Sequence, residues 1–333
     1  MKKIIKQAIQ LVTVLSLVFA GSQASLLMVD AESNSVDFIL DWVPNTNHTG
    51  LYVAVEKGYF TDVGVDVTIR RPPEGSTTEL VGLGQAEFGI SFQDSIASRF
   101  GGGLPVTAVA AILEHNTSGI ISNELAAIES PADLTGQTYG TWNDPIELAM
   151  IKLLVNQEGG DYEAVDLVPN QADNSIVGLA NAMFDSAWIY YAWDGIMADY
   201  QDVPSNFFYF TDYSEALDFY SPIIIANNDY LAKETEQAKA IVQAIKQGYQ
   251  YAIDNPEEAA DILIKYAPEL EDQRDMVLAS QVWISERYVE DPAQWGHIDE
   301  TRWNLFYQWL YDNDLVEVDL TQGNYFTNEF LGE

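Results

Sequence analysis

The sequence predicts an α/β chain made of two doubly wound units. Three observations carry this. From residue 36 onward, short apolar runs alternate with amphipathic, helix-like segments. That βαβα rhythm lays helices on both faces of a mostly parallel sheet. The chain has 333 residues, more than one hydrophobic core usually organises. A second series of strand and helix signals starts near residue 124. Hydrophobic residues make up 47%, enough to fill two cores.

The elements follow in order. "VDFILD" at 36–41 reads as the first strand, and "GLYVAVEKGYF" as a helix stopped by Gly58. "VDVTIRR" at 65–71 alternates at period two and is a strand. "STTELVGLGQAEFGIS" reads as a helix opened by Ser76 and stopped at Gly84, then a strand ending near Ser91. "PVTAVAAIL" at 105–113 is a buried strand. In the second unit, Ser130 caps a helix with Pro131 at its first position, and a strand follows at 138–141. "NDPIELAMIKLLVNQ" is a helix and "YEAVDLVP" a strand. "DSAWIYYAWDGIMA" is a strand turning into a helix, and "YSPIIIANNDYL" at 220–231 returns to strand character. Beyond it the chain is mostly helical. Asn255, Pro256 and Glu258 resemble a capping box, and the C-terminal "RWNLFYQWLYDNDL" is amphipathic. The expected organisation is a signal peptide at 1–31, a first lobe at 36–123, a second at 124–222, and a return to the first at 223–333.

The composition excludes several function classes. There are 51 acidic and 15 basic residues, a net charge of -36, so no nucleic acid or anionic lipid partner is expected. The absence of cysteine excludes thiolate nucleophiles and zinc–thiolate sites. With three histidines, a multi-histidine metal site is not expected, nor is a cofactor. No P-loop, nucleophile elbow or H-E-x-x-H is present, and "GLGQAE" has Glu87 where a dinucleotide fingerprint needs glycine. Lys2, Lys3 and Lys6 precede an apolar stretch and small residues, which reads as a secretory leader, so the protein is expected to be secreted, at the cell surface or in the periplasm. "VFAGSQ" resembles a lipoprotein signal, with Ser22 where the lipidated cysteine would stand.

What the sequence does show is aromatic and polar residues together at the ends of expected strands. The stretches are "DWVPNTNH", "SFQDS", "EHNTSG", "TWNDPIE" and "WIYYAWDG". Ligands of open α/β sheets bind outside the carboxyl ends of the strands. Tryptophan supplies a flat face, while Asp, Glu and Asn supply acceptors. The candidate ligand-binding residues are Asp41, Trp42, Asn45, His48, Gln93, His115, Asn116, Trp142, Glu147, Trp188, Tyr191, Trp193 and Asp194. This set suits a flat heterocycle with polar edges. Structural alternatives stand beside it. Trp188 and Tyr190 alternate on one strand, so one of them can be core. Asp194 can cap a helix, and His48 and His115 can be hydrogen-bonded structural residues. Trp303 and Trp309 read as packing residues, and His297 as surface.

"DWVPNTNHTGLYVAVEKGYF", "PPEGSTTELVGLGQAEFGIS", "GLPVTAVAAILEHNTSG" and "DNPEEAADIL" together resemble the thiamine-pyrimidine-precursor binding proteins of ABC transporters. The broader family is shared with yeast-type hydroxymethylpyrimidine synthase. The resemblance covers the chain from about residue 36. It implies a two-lobed periplasmic-binding-protein-like fold of type II that closes on its ligand. The hinge is expected near 122–124 and 221–223. It also implies a monomer, a pyrimidine ligand, and an ABC permease as membrane partner. Trp42 would stack on the pyrimidine, with Asn45 and His48 beside it. The "EHNTSG" loop, Trp142, Glu147 and the "WIYYAWDG" segment would line the same cleft. Where family members carry a glutamate in that last segment, the nearest acid here is Asp194, one methylene shorter. The synthase is the enzymatic alternative, but it carries a cysteine-rich motif and uses a lysine and a histidine of its own chain, and "GISFQDSI" offers neither. No catalytic residue is therefore expected. A flavin or a sulfonate is the alternative ligand. A sulfonate would want a basic cleft, and of the first-half arginines, Arg70, Arg71 and Arg99, none sits in a candidate loop.

Overall fold

A computed structural model describes residues 34–72, 76–170 and 175–332. The expected leader at 1–31 and Ser22 lie outside the described residues. Among those described, no helix is long and apolar enough to cross a membrane.

Two five-stranded sheets organise the chain. The first has the order β2-β1-β3-β10-β4, formed by β1 (Ser35–Ile39), β2 (Asp66–Arg70), β3 (Phe88–Ser91), β4 (Val106–Ala111) and β10 (Ile223–Asn227). The second has the order β7-β6-β8-β5-β9, formed by β5 (Ser118–Asn123), β6 (Thr138–Thr141), β7 (Asp166–Pro169), β8 (Ser186–Tyr190) and β9 (Ser205–Tyr209). The two repeat one plan. Three strands pair in parallel at one side, and the strand contributed by the chain's crossing between sheets, β10 or β5, runs antiparallel beside them.

The inner strands β3 and β10 are buried along their whole length, as strands covered on both faces must be, while the edge strand β2 is only partly buried. Phe38 of β1 stacks on Phe88 of β3 at 6.2 Å, and Ile223, Ile224 and Ile225 of β10 are fully buried between β3 and β4. Helix α1 (Thr49–Glu56) covers this sheet and is itself crossed by α3 (Thr235–Asp254). A Cβ added at Gly248 of α3 would fall 2.0 Å from the Gly50 carbonyl oxygen of α1, so glycine is required for the two backbones to approach so closely. In the second unit, α2 (Pro145–Gln157) buries Met150, Ile151, Leu154 and Val155. The C-terminal α4 (Arg274–Ser285) and α5 (Glu300–Asp312) complete the cores, with Trp303 buried in α5 and Trp309 partly so.

Two strands escaped the sequence reading. β5 is "SGIISN" and β9 is "SNFFY", each rich in serine, asparagine or glycine at the ends. β5 lies centrally between β8 and β9, so its apolar residues are few but all enclosed. Gly119 is essential there, because a Cβ would sit 2.0 Å from the Phe208 carbonyl oxygen. The chain therefore leaves the first sheet after Ala111 and is already in the second at Ser118, so β5, assigned by the sequence to the first lobe, belongs to the second sheet. It returns between Tyr209 and Ile223. The capping box at 255–258 does not form. Glu258 turns instead to Lys57 and Tyr251, and the Asn255 amide donates to the Tyr251 carbonyl. Ser130 and Asp133 do form one, over a single 3₁₀ turn.

Candidate functional site

A cleft of about 550 Å³ lies between the two sheets. Its walls are the segments that follow the carboxyl ends of β1, β2, β3, β6, β7 and β8, as the open α/β rule requires.

The first wall is the loop after β1. Asn45 caps a 3₁₀ turn, its Oδ1 accepting from the Asn47 N–H at 2.9 Å. The Asn45 N–H donates to His48 Nδ1 at 3.1 Å, which places the ring proton on Nε2. Nε2 in turn donates to Asp41 Oδ1 at 2.7 Å. His48 is fully buried and does not line the cleft; it holds Asp41, which does. The result is a rigid loop whose members 45–48 are buried while Trp42 is 39% exposed at the cleft.

The second wall comes from α2 and β8. Asp144 accepts from the Ile146 and Glu147 N–H groups, and Glu147 reaches back to the Asp144 N–H, a reciprocal capping box. The Glu147 carboxyl also accepts from the Tyr139 hydroxyl (2.9 Å), the Thr141 hydroxyl (2.9 Å) and the Trp142 N–H. Burial pushes its pKa up and these donors pull it down. Glu147 thus touches the cleft, but its acceptors are engaged in fixing the 141–147 turn. Asn143 in that turn has φ 63°, a left-handed conformation that asparagine tolerates. Just before it, Trp142 is 47% exposed, 5.8 Å from Trp188 and nearly parallel to Tyr190 at 6.4 Å. Tyr190 also stacks on Phe92 of the first lobe at 5.4 Å, so the cleft floor is aromatic. After β8 the chain makes a π-turn, Tyr191–Gly195, which brings Trp193 and Asp194 to the cleft.

Five carboxyls, Asp41, Asp94, Asp144, Glu147 and Asp194, line this space with one guanidinium, Arg99. Desolvation raises the Asp194 pKa to about 7. It raises Asp94 to about 7 as well, assisted by the charges of Asp144 and Glu147. Four cleft residues carry a polar atom shielded from solvent with no hydrogen bond among the described residues: Asn47 Oδ1, Asp94 Oδ1, Arg99 Nε and Trp188 Nε1. Buried polar atoms are normally satisfied, so these four mark the cleft as a place where polar bonds remain to be made.

Of the residues expected at the site, Asp41, Trp42, Asn45, Trp142, Glu147, Trp188, Trp193 and Asp194 do line the cleft. Trp188 and Tyr190 both reach it, although their alternation suggested only one would. Five expected residues do not, His48 behind Asp41 being the first. Gln93 is fully buried and bridges the Trp303 carbonyl and the Tyr220 N–H. His115 and Asn116 belong to the first crossing segment, not to the cleft. Both bond to Asp218 of the second crossing, His115 Nδ1 at 2.7 Å and the Asn116 N–H at 2.8 Å, and Asp218 raises the histidine's pKa. Tyr191 points to the outer surface, where its hydroxyl donates to Asp199 and its ring packs on Phe207 and Trp283. The sequence reading missed Asn47, Asp94, Asp144, Tyr190 and Arg99. Arg99 was set aside as lying outside any candidate loop, yet its helix, Ala97–Gly101, starts so soon after β3 that the side chain returns to the cleft. Among the described residues no group of three or more His, Asp or Glu could hold a metal ion.

The family model described as NMT1/THI5 like matches residues 45–259. Over 322 residues, 94% of this chain, the sequence is 28% identical to a formylaminopyrimidine-binding protein of Halalkalibacterium halodurans, 95% of which is covered. It is 26% identical over 252 residues to a 4-amino-5-hydroxymethyl-2-methylpyrimidine phosphate synthase of Saccharomyces cerevisiae, covering 72% of this chain and 73% of that protein. The alkanesulfonate-binding protein SsuA of Xanthomonas axonopodis superposes with a TM-score of 0.65, at 12% identity, over 89% of this chain and 99% of its own. That likeness bears on the fold alone, and it shows the two-lobed, periplasmic-binding-protein-like architecture expected from the sequence.

Proposed function

Since this chain belongs to the NMT1/THI5-like family, we propose that it is the solute-binding component of an ABC importer for a thiamine pyrimidine precursor, formylaminopyrimidine or hydroxymethylpyrimidine. The carrying observation is the cleft itself: exposed tryptophan faces from both lobes, Trp42 and Trp142, around a space with five carboxyls and one guanidinium. Flat rings stack on such faces, and amino groups on their edges need acceptors. A sulfonate would meet mostly like charge, so the sulfonate binders among the solved structures speak for the fold and not for the ligand. Binding rather than catalysis is supported by identity over near-full length: 28% over 95% of the formylaminopyrimidine-binding protein, against 23% over 88% of a Candida albicans synthase. Capture outside the membrane and delivery to a permease, by a monomer, complete the reading. Export is supported by the leader-like residues at the start of the chain.

Calorimetric titration with formylaminopyrimidine and hydroxymethylpyrimidine tests this. At least one should bind with one-to-one stoichiometry and be recovered unchanged. If neither binds while taurine, an alkanesulfonate or riboflavin does, the ligand assignment is wrong. If the bound pyrimidine is recovered chemically altered, the protein is an enzyme.

A further inference from the structure

Backbone N–H groups of Asp94 itself and of Ser95 donate to the Asp94 carboxyl, but they leave part of it unused. Asp94 follows β3 by three residues, lines the cleft, and has one carboxyl oxygen, Oδ1, shielded from solvent without a hydrogen bond among the described residues. Arg99, five residues on, does not pair with it. Its Nη1 donates to the Ser95 carbonyl, and its Nε lies 3.8 Å from Glu79. The titratable groups that face Asp94 give it no cation. Asp144 and Glu147 approach from α2 across the cleft, Tyr190 from β8 and Tyr307 from α5, while Asp41 and Asp194 share the same space. The surroundings therefore hold the carboxyl near the midpoint of its titration at neutral pH, at about 7. Desolvation and the neighbouring acids thus make the neutral form available at neutral pH, which an ordinary carboxylate does not offer.

That form has a specific complement. An ionised carboxylate only accepts hydrogen bonds, whereas a carboxylic acid presents one donor and one acceptor side by side. The amidine-like edge of an aminopyrimidine presents the opposite order, a ring nitrogen that accepts next to an amine that donates. A carboxylate would set a lone pair against the ring nitrogen, and a carboxylic acid matches both positions.

Resting on the pyrimidine reading above, we propose that Asp94 is a specificity-determining residue that engages the ligand as a carboxylic acid, its O–H donated to a ring nitrogen and its carbonyl oxygen accepting from the adjacent amine. It follows that the complex holds one proton in this pair. Above neutral pH that proton is taken from solvent on binding, so affinity falls as pH rises. Asp194 titrates in the same range, so the slope of the wild-type profile alone does not assign the proton. Substitution of Asp94 does. Asparagine reproduces the donor–acceptor pair of the neutral acid without titrating, and alanine removes both.

The test is calorimetric titration of wild type, Asp94→Asn and Asp94→Ala with 4-amino-5-hydroxymethyl-2-methylpyrimidine, from about pH 6 to about pH 9, across the carboxyl's range. The wild type should lose about tenfold in affinity for each pH unit above about 7, the signature of one proton taken up. Asp94→Asn should keep the low-pH affinity and shed that tenfold slope, and Asp94→Ala should bind more than tenfold more weakly than Asp94→Asn at every pH. A wild-type profile that is flat, or an asparagine variant as weak as alanine, overturns the role of Asp94 and leaves the pyrimidine reading standing. If wild type binds neither this pyrimidine nor formylaminopyrimidine at any pH, the pyrimidine reading is overturned, and this inference with it.

Discussion

Trp42 shows the residue-scale logic most plainly. Its neighbours Asn45, Thr46, Asn47 and His48 are 7% exposed or less, and apart from Asn47 Oδ1 they spend their polar groups on one another, on Asp41, on Ser280 and on the surrounding backbone. Trp42, between them and β1, contributes no comparable burial. A rigid loop with one large apolar ring left outside is suited to a partner that arrives later. Trp42→Ala should therefore weaken pyrimidine binding by about 1–3 kcal/mol, the range for loss of one aromatic stacking face, with little change in thermal stability. Calorimetry and a melting curve check both halves. A variant that melts far earlier but binds normally while folded would return Trp42 to a packing role. At this scale the sequence was legible where a strand end led straight into the cleft, as at Trp42, Trp142 and Asp194. It failed at Gln93 and Asp94, where a difference of one position after β3 decides which side chain enters the core against Trp303 and which faces the cleft. No periodicity survives the end of a strand to tell them apart.

At the scale of elements, the site depends on contacts far from the ligand. α1 leads directly out of the Asn45–His48 turn, and α3 presses against it through Gly50 and Gly248. Tyr249 of α3 then donates to the Asn47 carbonyl at 2.6 Å, and Tyr288 to the Thr46 carbonyl at 2.6 Å. Gly248→Ala would drive a methyl group into the Gly50 carbonyl and force the helices apart. The expected cost is about 1–3 kcal/mol of stability, as for overpacking in a core, together with weaker ligand binding because the loop moves with α1. Denaturant unfolding and calorimetry on the same variant would show both; unchanged stability would mean that the helices shift without strain. Strands with strong apolar runs, such as β1, β4 and β10, could be read from sequence. β5 and β9 could not, because their burial comes from neighbours brought by tertiary pairing and not from their own composition. The missed β5 also explains why His115 and Asn116 were misplaced. With β5 in the second sheet, the "EHNTSG" stretch becomes the crossing between lobes, tied to Asp218, and is not a wall of the cleft.

For the whole molecule, the two sheets repeat one plan and present their parallel-strand ends to a shared space, so a ligand there touches both lobes. A ligand shifts an equilibrium only by its difference in affinity between two states, and contacts from both lobes favour the closed one. Rotation would be taken up by the two crossing segments, 112–117 and 210–222, which are tied to each other through Asp218, Asn116 and Leu217. Small-angle scattering should show a smaller radius of gyration at saturating pyrimidine; an unchanged profile at proven saturation would mean a preformed cleft. The strong negative charge, -36 over the chain, suits docking to a basic counterpart on a permease. The most direct measurement of the central claim is a crystal structure of the protein grown with hydroxymethylpyrimidine. The account predicts one ring stacked on Trp42 between the lobes, with its polar edge toward Asp94 and Asp194. A ring bound outside the cleft, or an empty cleft at a concentration where calorimetry shows saturation, would contradict it.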